Sequence, residues 1–384
     1  MFKRAKGIGL RFIAALIALL VLSCSQPAPT VAPVFTTLFE AGEEFSFRGL
    51  HAVHDSVVVV GGTQGSICIS LDAGVHWSFM QIPDATESQF RSVWAHDQSR
   101  FLAVSAGAPS YIYFTEDRGE HWLRVYSDTA QSTFLDGIAF ANDTLGWVFG
   151  DPVDGRFKLL QTIDGGRHWA EISGPPSIDG EAAFAASGSS ILYSDSTLSI
   201  VTGGTVSRIH MSTNFGEDWT AKWLELPQGL PSQGAFAHDW HNDGYIIVGG
   251  DYLFDTAALG NTIHYDPESA YPTFDEKLSA LPYCSDVVGV GQNVYFTGTV
   301  GMYYADSLLH ELDTNAMHSL AYSGKYVFAS GPEGRIGRIF QGSQPALEQL
   351  NIAINSRCQK LFSPPLPFLY FRLPLVFLLC PRLI

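Results

Sequence analysis

Short apolar runs recur along the body of this chain, and glycine ends several of them. Val57–Val60 stops at Gly61-Gly62, Trp147–Phe149 at Gly150, and Tyr245–Val248 at Gly249-Gly250. Brief runs of β-branched and aromatic residues between turn formers predict buried strands. A second apolar segment lies upstream of the runs: Phe47–Val53 (FRGLHAV), Phe90–His96 (FRSVWAH), Phe134–Phe140 (FLDGIAF), Glu181–Ala186 (EAAFAA) and Gln233–His238 (QGAFAH). Each predicts the innermost strand of a unit, with the glycine-ended run as its second strand. Apolar stripes at helical spacing are missing, so the chain reads as all-β.

A polar motif follows the strand pairs four times. It has the form S/T-x-D/N-x-G-x-x-W and occupies Ser70, Asp72, Gly74 and Trp77, then Thr115, Asp117, Gly119 and Trp122, then Thr162, Asp164, Gly166 and Trp169, then Ser212, Asn214, Gly216 and Trp219. The tryptophans are 45, 47 and 50 residues apart, the length of one four-stranded propeller blade. The motif suits a turn. A carboxylate or amide oxygen accepts backbone N–H groups across a bend, glycine takes the left-handed conformation, and the indole packs between sheets. These residues are therefore expected to be structural Asp boxes between the two outer strands.

The units predict blades over 45–88, 89–130, 131–176, 177–229 and 230–282. The fifth keeps only a decayed box around His264–Glu268. Two shorter blades start near Cys284 and His318. The expected fold is a β-propeller of seven blades, with six as the alternative count. The alternating segment Val34–Glu40 is expected to pair with the last blade and close the ring, which would hide the open sheet edges.

The two ends differ from this body. Lys3, Arg4, Lys6 and Arg11 precede an apolar stretch, Phe12–Leu22, and then Ser23-Cys24. This order fits a lipoprotein signal peptide over 1–23, with Cys24 lipidated as the first mature residue, since the apolar stretch is too short to span a bilayer. Residues 24–33 read as a disordered tether and 34–345 as the propeller. The predicted location is a bacterial cell envelope, at the outer membrane. The segment 346–384 is apolar, rich in proline and free of acidic residues beyond Glu348. It is expected to come from altered coding rather than to form a domain.

The net charge of −16 disfavours nucleic acid and anionic lipid as partners. Cys68 and Cys284 lie in strand-like runs and are expected to be buried thiols. No C-x-x-C is present, which disfavours a cysteine zinc site or redox pair.

The blade pattern resembles the photosystem II stability/assembly factor-like group of BNR/Asp-box (WD40/YVTN/BNR-like repeat) proteins. The segments Gly150–Phe157 (GDPVDGRF), Gly180–Ser187 (GEAAFAAS) and Gly249–Tyr252 (GGDY) resemble a secreted bacterial branch of it. The resemblance covers roughly 45–340 and implies the propeller fold. It also implies a binding or assembly role, although some members are labelled oxidoreductases.

In such a fold, the starts of the inner strands and the loops after the second strands open on one face. Arg48, Arg91, Asp136 and Glu181 hold the first kind of position, and Asp151, Asp154, Arg156, Asp251 and Tyr252 the second. Together they are candidate ligand-binding residues at the mouth of the central channel, suited to a sugar, a cation or a basic peptide. The alternative is a glycoside hydrolase, sialidase-like or using two carboxylates, with Asp151, Glu181 and Asp251 as candidates. Recurrence of Phe47-Arg48 as Phe90-Arg91 argues against a sialidase arginine. Oxidoreductase activity is a lesser alternative, because no dinucleotide fingerprint or adjacent cysteine pair is present. No nucleophile elbow, P-loop or HExxH occurs.

His76, His121 and His168 precede successive box tryptophans. They fall too far apart on a rim to share an ion, and the stretch His238–Asp243 (HDWHND) is a weak alternative. No metal or cofactor is expected. The expected state is a monomer, held at a membrane through Cys24, with a protein or carbohydrate ligand.

Overall fold

The computed structural model describes residues 32–340, apart from 270–272 and 275. The signal segment, Cys24, most of the tether and the tail over 346–384 lie outside the described residues. Seven antiparallel sheets form seven blades. Blade 1 holds the strands Phe47–Val53, Val57–Gly62, Ser66–Ser70 and Ser78–Gln81, and blade 2 holds Gln89–Ala95, Phe101–Ala106, Ser110–Thr115 and Leu123–Asp128. Blade 3 follows with Leu135–Phe140, Gly146–Val153, Arg156–Thr162 and Ala170–Pro176. Blade 6 spans Asp286 to Asp313, and blade 7 begins at Ser319.

The ring closes as the pattern of Val34–Glu40 predicts. The strand Phe35–Glu40 pairs with the last strand of blade 7, Arg335–Phe340, in a register that sets Phe35 opposite Ile339 and Glu40 opposite Arg335. The N-terminal strand thus supplies the outermost strand of the C-terminal blade.

Continuous apolar runs follow from burial on both faces of each blade. Val57 and Val59 pack toward Phe90, Val93 and Phe101 of blade 2. Their neighbours Val58 and Val60 point the other way, onto Tyr326, Phe328 and Ile336 of blade 7. Alternate side chains therefore serve alternate interfaces, and every position in the run must be apolar. Cys68 and Cys284 are buried free thiols.

The four boxes form the turns between third and fourth strands. In the first, the Ser70 hydroxyl accepts the Gly74 N–H at 2.8 Å and donates to Asp72 Oδ1 at 3.0 Å. Asp72 Oδ1 also accepts the His76 N–H at 2.8 Å, and the Trp77 indole donates to Gly74 O. The same bonds recur around Asp164, and Asn214 replaces the carboxylate in the fourth turn with its own Oδ1.

Two blades depart from the expected pattern. The segment at Glu181 is not the inner strand of blade 4. That strand is Ile191–Ser194, followed by Thr197–Val201, Arg208–Ser212 and Thr220–Trp223. Glu181-Ala182 instead pairs with Gly203-Gly204, which extends the sheet of blade 5. Blade 5 itself has three full strands, Gln233–His241, Gly244–Asp251 and Thr262–Tyr265. Among the described residues, its outer side carries the bridge between His264 and Thr273.

Candidate functional site

The inner strands of blades 1, 2, 3 and 5 each shift register near their starts. The shifts fall between Phe47 and Gly49, Phe90 and Ser92, Leu135 and Gly137, and Ala235 and Ala237. The residues at these bulges are Arg48, Arg91, Asp136 and Phe236. A bulge re-aims its side chain out of the alternating pattern, and all four line one cavity at a mouth of the channel. Another shift, between Gly150 and Pro152, falls on Asp151, which joins them.

The floor of this cavity is the chain itself. Residues 183–190, displaced from the expected inner strand, cross the channel. Arg48 Nη1 donates to Ala186 O at 3.3 Å and Arg91 Nη1 to Ala185 O at 3.5 Å. The His238 N–H donates to Ser189 O at 3.1 Å. The Ser319 hydroxyl contacts Ser187 O at 3.5 Å. A Cβ on Gly188 would meet the Ser92 side chain at 2.8 Å. Blades 1, 2, 5 and 7 therefore all hold this crossing segment. Above it lies the cavity of about 370 Å³, lined also by Phe134, Phe184, Tyr252, Tyr283, Ser285, Thr299 and His318. Beyond it, on the other side, is a separate cavity of about 420 Å³ with Trp94 and Trp240 in its wall.

Burial controls the charge at the mouth. Asp136 is 1% exposed and neither of its carboxyl oxygens has a hydrogen-bond partner. The Asp151 N–H nearby is donated to Phe134 O. Desolvation, with repulsion from Asp151, raises the Asp136 pKa well above the ordinary carboxylate range, against the pull of Arg91. Burial also raises Asp151, whose Oδ1 accepts the Ala183 N–H at 2.9 Å. Burial lowers Arg48, with repulsion from Arg91 adding to it, and burial lowers Arg91. His318 is lowered to about 3 by burial and then by both arginines, so it is neutral at pH 7. Among the described residues, neither Arg48 nor Arg91 has an ion-pair partner. Two guanidiniums thus face a cavity in which burial favours the protonated form of the neighbouring Asp136.

Five of the candidate residues meet here: Arg48, Arg91, Asp136, Asp151 and Tyr252. The other four do not line the cavity. Asp154 sits at a turn with φ of 53°. Arg156 Nη1 donates to Gly174 O at 2.8 Å within its own blade. Asp251, 2% exposed, accepts the Leu253 N–H and the Gln233 amide and caps its turn. Glu181 is buried against Arg208 and His210. The set Asp151, Glu181 and Asp251 is therefore not assembled, because two of its members are spent inside the scaffold.

Phe236 occupies the bulge of its inner strand as Arg48 does, but it is the fourth residue of QGAFAH and Arg48 the second of FRGLHAV, so aligning the segments by their starts does not reveal it. Phe184 carries no repeat signal either, because its segment departs from the repeat. Phe184 stacks on Phe236 with centroids 4.0 Å apart, and Tyr252 packs edge-on against both.

His76, His121 and His168 each bond their own box aspartate, at 2.6, 2.7 and 2.6 Å. His238 reaches Ser199 Oγ and His241 reaches Gly291 O, so that pair does not converge on an ion. Among the described residues, the three donors close enough for a metal are Asp117, Glu120 and His121, at an exposed turn.

No family model matches the chain, and no curated protein matches it. Solved structures do. The chain is similar to YCF48 bound to a D1 peptide, at 12% identity and a TM-score of 0.60, over 83% of this chain and 99% of that one. It is similar to YCF48 from Cyanidioschyzon merolae, at 12% identity and a TM-score of 0.55, over 80% and 99%. It is also similar to a catalytically inactive virginiamycin B lyase from Staphylococcus aureus with quinupristin, at 14% identity and a TM-score of 0.61, over 81% and 100%. At these identities the likeness is one of fold, a seven-bladed β-propeller.

Proposed function

We propose that this chain is a binding module that takes a carboxylate-bearing ligand at the channel mouth, held at a bacterial cell envelope through Cys24. One observation carries the reading: Arg48 and Arg91 are half-buried at a cavity, and among the described residues no carboxylate is ion-paired to them. Buried charge is costly unless paired, so an incoming anion gains from both guanidiniums. Asp136 adds to this, because burial favours its protonated form, which can donate a hydrogen bond. The carboxyl groups, which by sequence suggest a cation or basic peptide, do not set the sign, because burial disfavours their charged forms.

The ring also suits a peptide. Phe184, Phe236 and Tyr252 make an aromatic wall beside the charges, and one protein of similar fold, YCF48, is known with a D1 peptide bound. Glycoside hydrolysis fits less well. Two catalytic carboxyls flank a scissile bond, whereas Asp136 and Asp151 arise from paired strands of one blade, near the register pair Leu135 and Gly150.

The test is calorimetric titration with peptides ending in a free or an amidated carboxyl group, and with glucuronate. Free carboxylates should bind, and Arg48→Gln with Arg91→Gln should abolish binding. Binding indifferent to that double replacement would overturn the reading, as would turnover of chromogenic glycosides that Asp151→Asn abolishes.

A further inference from the structure

A third cavity lies at the junction of blades 4 and 5, outside the lining of the channel mouth, and it follows from the loss of one box. In blades 1 to 4 the box glycine lies against the preceding blade. A Cβ there would come 2.6 Å from Leu38 at Gly74, 2.9 Å from Ile69 at Gly119, 2.6 Å from Leu102 at Gly166 and 3.4 Å from Ile172 at Gly216. The turn closes each junction by this approach. In the decayed box of blade 5, His264 stands at the Ser/Thr place, Asp266 at the aspartate and Glu268 at the glycine. The junction stays open as a cleft of about 650 Å³.

Its walls are Met211 and Trp219 from blade 4 and Trp240, Tyr245 and Pro267 from blade 5. Asp195, Asp218, Asp243, Asp266 and Glu268 line it, with no lysine, arginine or histidine among the described lining residues. Asp218 accepts the Asn214 amide at 2.9 Å, and Asp266 accepts the Glu268 N–H at 2.8 Å. Asp195 and Asp243 head the two strand hairpins, exposed and left-handed at φ of 46° and 60°. The Tyr245 side chain, 0% exposed, backs the lining, with its hydroxyl turned toward buried Ser199. The neighbouring Ser199 hydroxyl is taken by Leu192 O and His238 Nε2.

The geometry points to a binding site for an organic ammonium cation, an alkylammonium of a polyamine or of a lysine side chain. Uncompensated carboxylates favour a cation, and two half-buried indoles give it π-faces. The carboxylates are spread around the cleft rather than gathered on a point. The described residues that do gather for a metal are Asp117, Glu120 and His121, in blade 2. A diffuse acidic lining fits an extended organic cation and not a single ion. This site is independent of the channel mouth and of the anion reading given to it.

The experiment is titration of tryptophan fluorescence at low salt with spermidine, with an acetylated and amidated Gly-Lys-Gly peptide, and with MgCl₂ at matched ionic strength. Saturable binding by spermidine or the lysine peptide, not reversed by an equal concentration of Mg²⁺, supports the site, and the preferred probe tells a free polyamine from a basic partner. Asp195→Asn with Asp243→Asn retains the left-handed turns, since Asn tolerates them. It should weaken binding about tenfold through loss of two exposed ionic contacts. Glu268→Gln provides a second, milder variant in the same direction. Failure of both cations to bind, equal displacement by Mg²⁺, or unchanged affinity in both variants would overturn the proposal.

Discussion

Glu181 provides a direct measure of how far the structure departs from a channel-mouth carboxylate. Its side chain is fully buried, and one carboxylate gathers donors from three elements. Thr202 Oγ1 donates at 2.5 Å, Arg208 Nε at 3.0 Å and His210 Nε2 at 3.2 Å to Oε1. The Ile178 N–H donates to Oε2 at 2.9 Å, and Arg208 Nη2 donates there as well. Burial alone would raise the Glu181 pKa. The hydrogen bonds from His210, Arg208, Thr202 and Ile178 overcome it and hold the group at about 2, against 4.5 when unperturbed. That difference corresponds to about 3 kcal/mol of folding free energy. Removing one partner of a buried ion pair, by analogy with measured cases, costs about 3–5 kcal/mol. Glu181→Gln should therefore destabilise the propeller by about 3 kcal/mol at pH 7, read as a fall in urea midpoint at constant slope. The pH dependence adds a second reading. Because the folded pKa is depressed, the contribution is fully present above about pH 4.5 and is lost as pH falls toward 2. The wild-type protein should lose stability over that window, and Glu181→Gln should lack this component. A variant within about 1 kcal/mol of wild type, or one with the same slope between pH 4.5 and 2, would refute the reasoning.

Three further outcomes are expected. Asp136→Asn should raise the melting temperature at pH 7. The raised folded pKa means that unfolding at neutral pH releases a proton and is favoured by it, a penalty the amide removes; an unchanged or lower melting temperature would count against a protonated Asp136. Gly166→Ala should cost about 1–3 kcal/mol, since φ is 94° and the new Cβ would lie 2.6 Å from Leu102; a neutral effect in chemical denaturation would show the junction to be looser than described. Deleting the chain through Glu40 should open the ring and expose the edge of Arg335–Phe340, giving a lower melting temperature and self-association in size-exclusion chromatography; an unaltered monomer would show that the closing strand is dispensable.

The propeller was legible because its determinants are local and repeated. The four boxes carry their own hydrogen bonds, from hydroxyl to glycine N–H and from aspartate to the next turn of chain, so sequence spacing predicts them. The Phe47, Phe90 and Phe134 segments each lead into an inner strand, the third offset by one residue. The candidate site was legible in part. Arg48, Arg91 and Asp136 stand at comparable places in successive units, Asp151 follows the second strand of the third, and bulges at those places turn them to one mouth. Glu181 looked equivalent from its EAAFAA context, but two residues of strand pairing to Gly203-Gly204 removed it from the series. Its true partners, Arg208 and His210, lie 27 and 29 residues away and carry no local mark.

The sequence by itself determined that this chain is built of repeated four-stranded units, where their outer turns fall, and that Val34–Glu40 could close the ring. Those features depend on side-chain alternation and on hydrogen bonds spanning four residues. Only the tertiary structure brought Arg48, Arg91, Asp136 and Asp151 to one cavity and buried the two carboxyls there, because that depends on blades meeting around residues 183–190. Only it showed that the missing glycine at Glu268 leaves a cleft, because that glycine's partner belongs to the neighbouring blade.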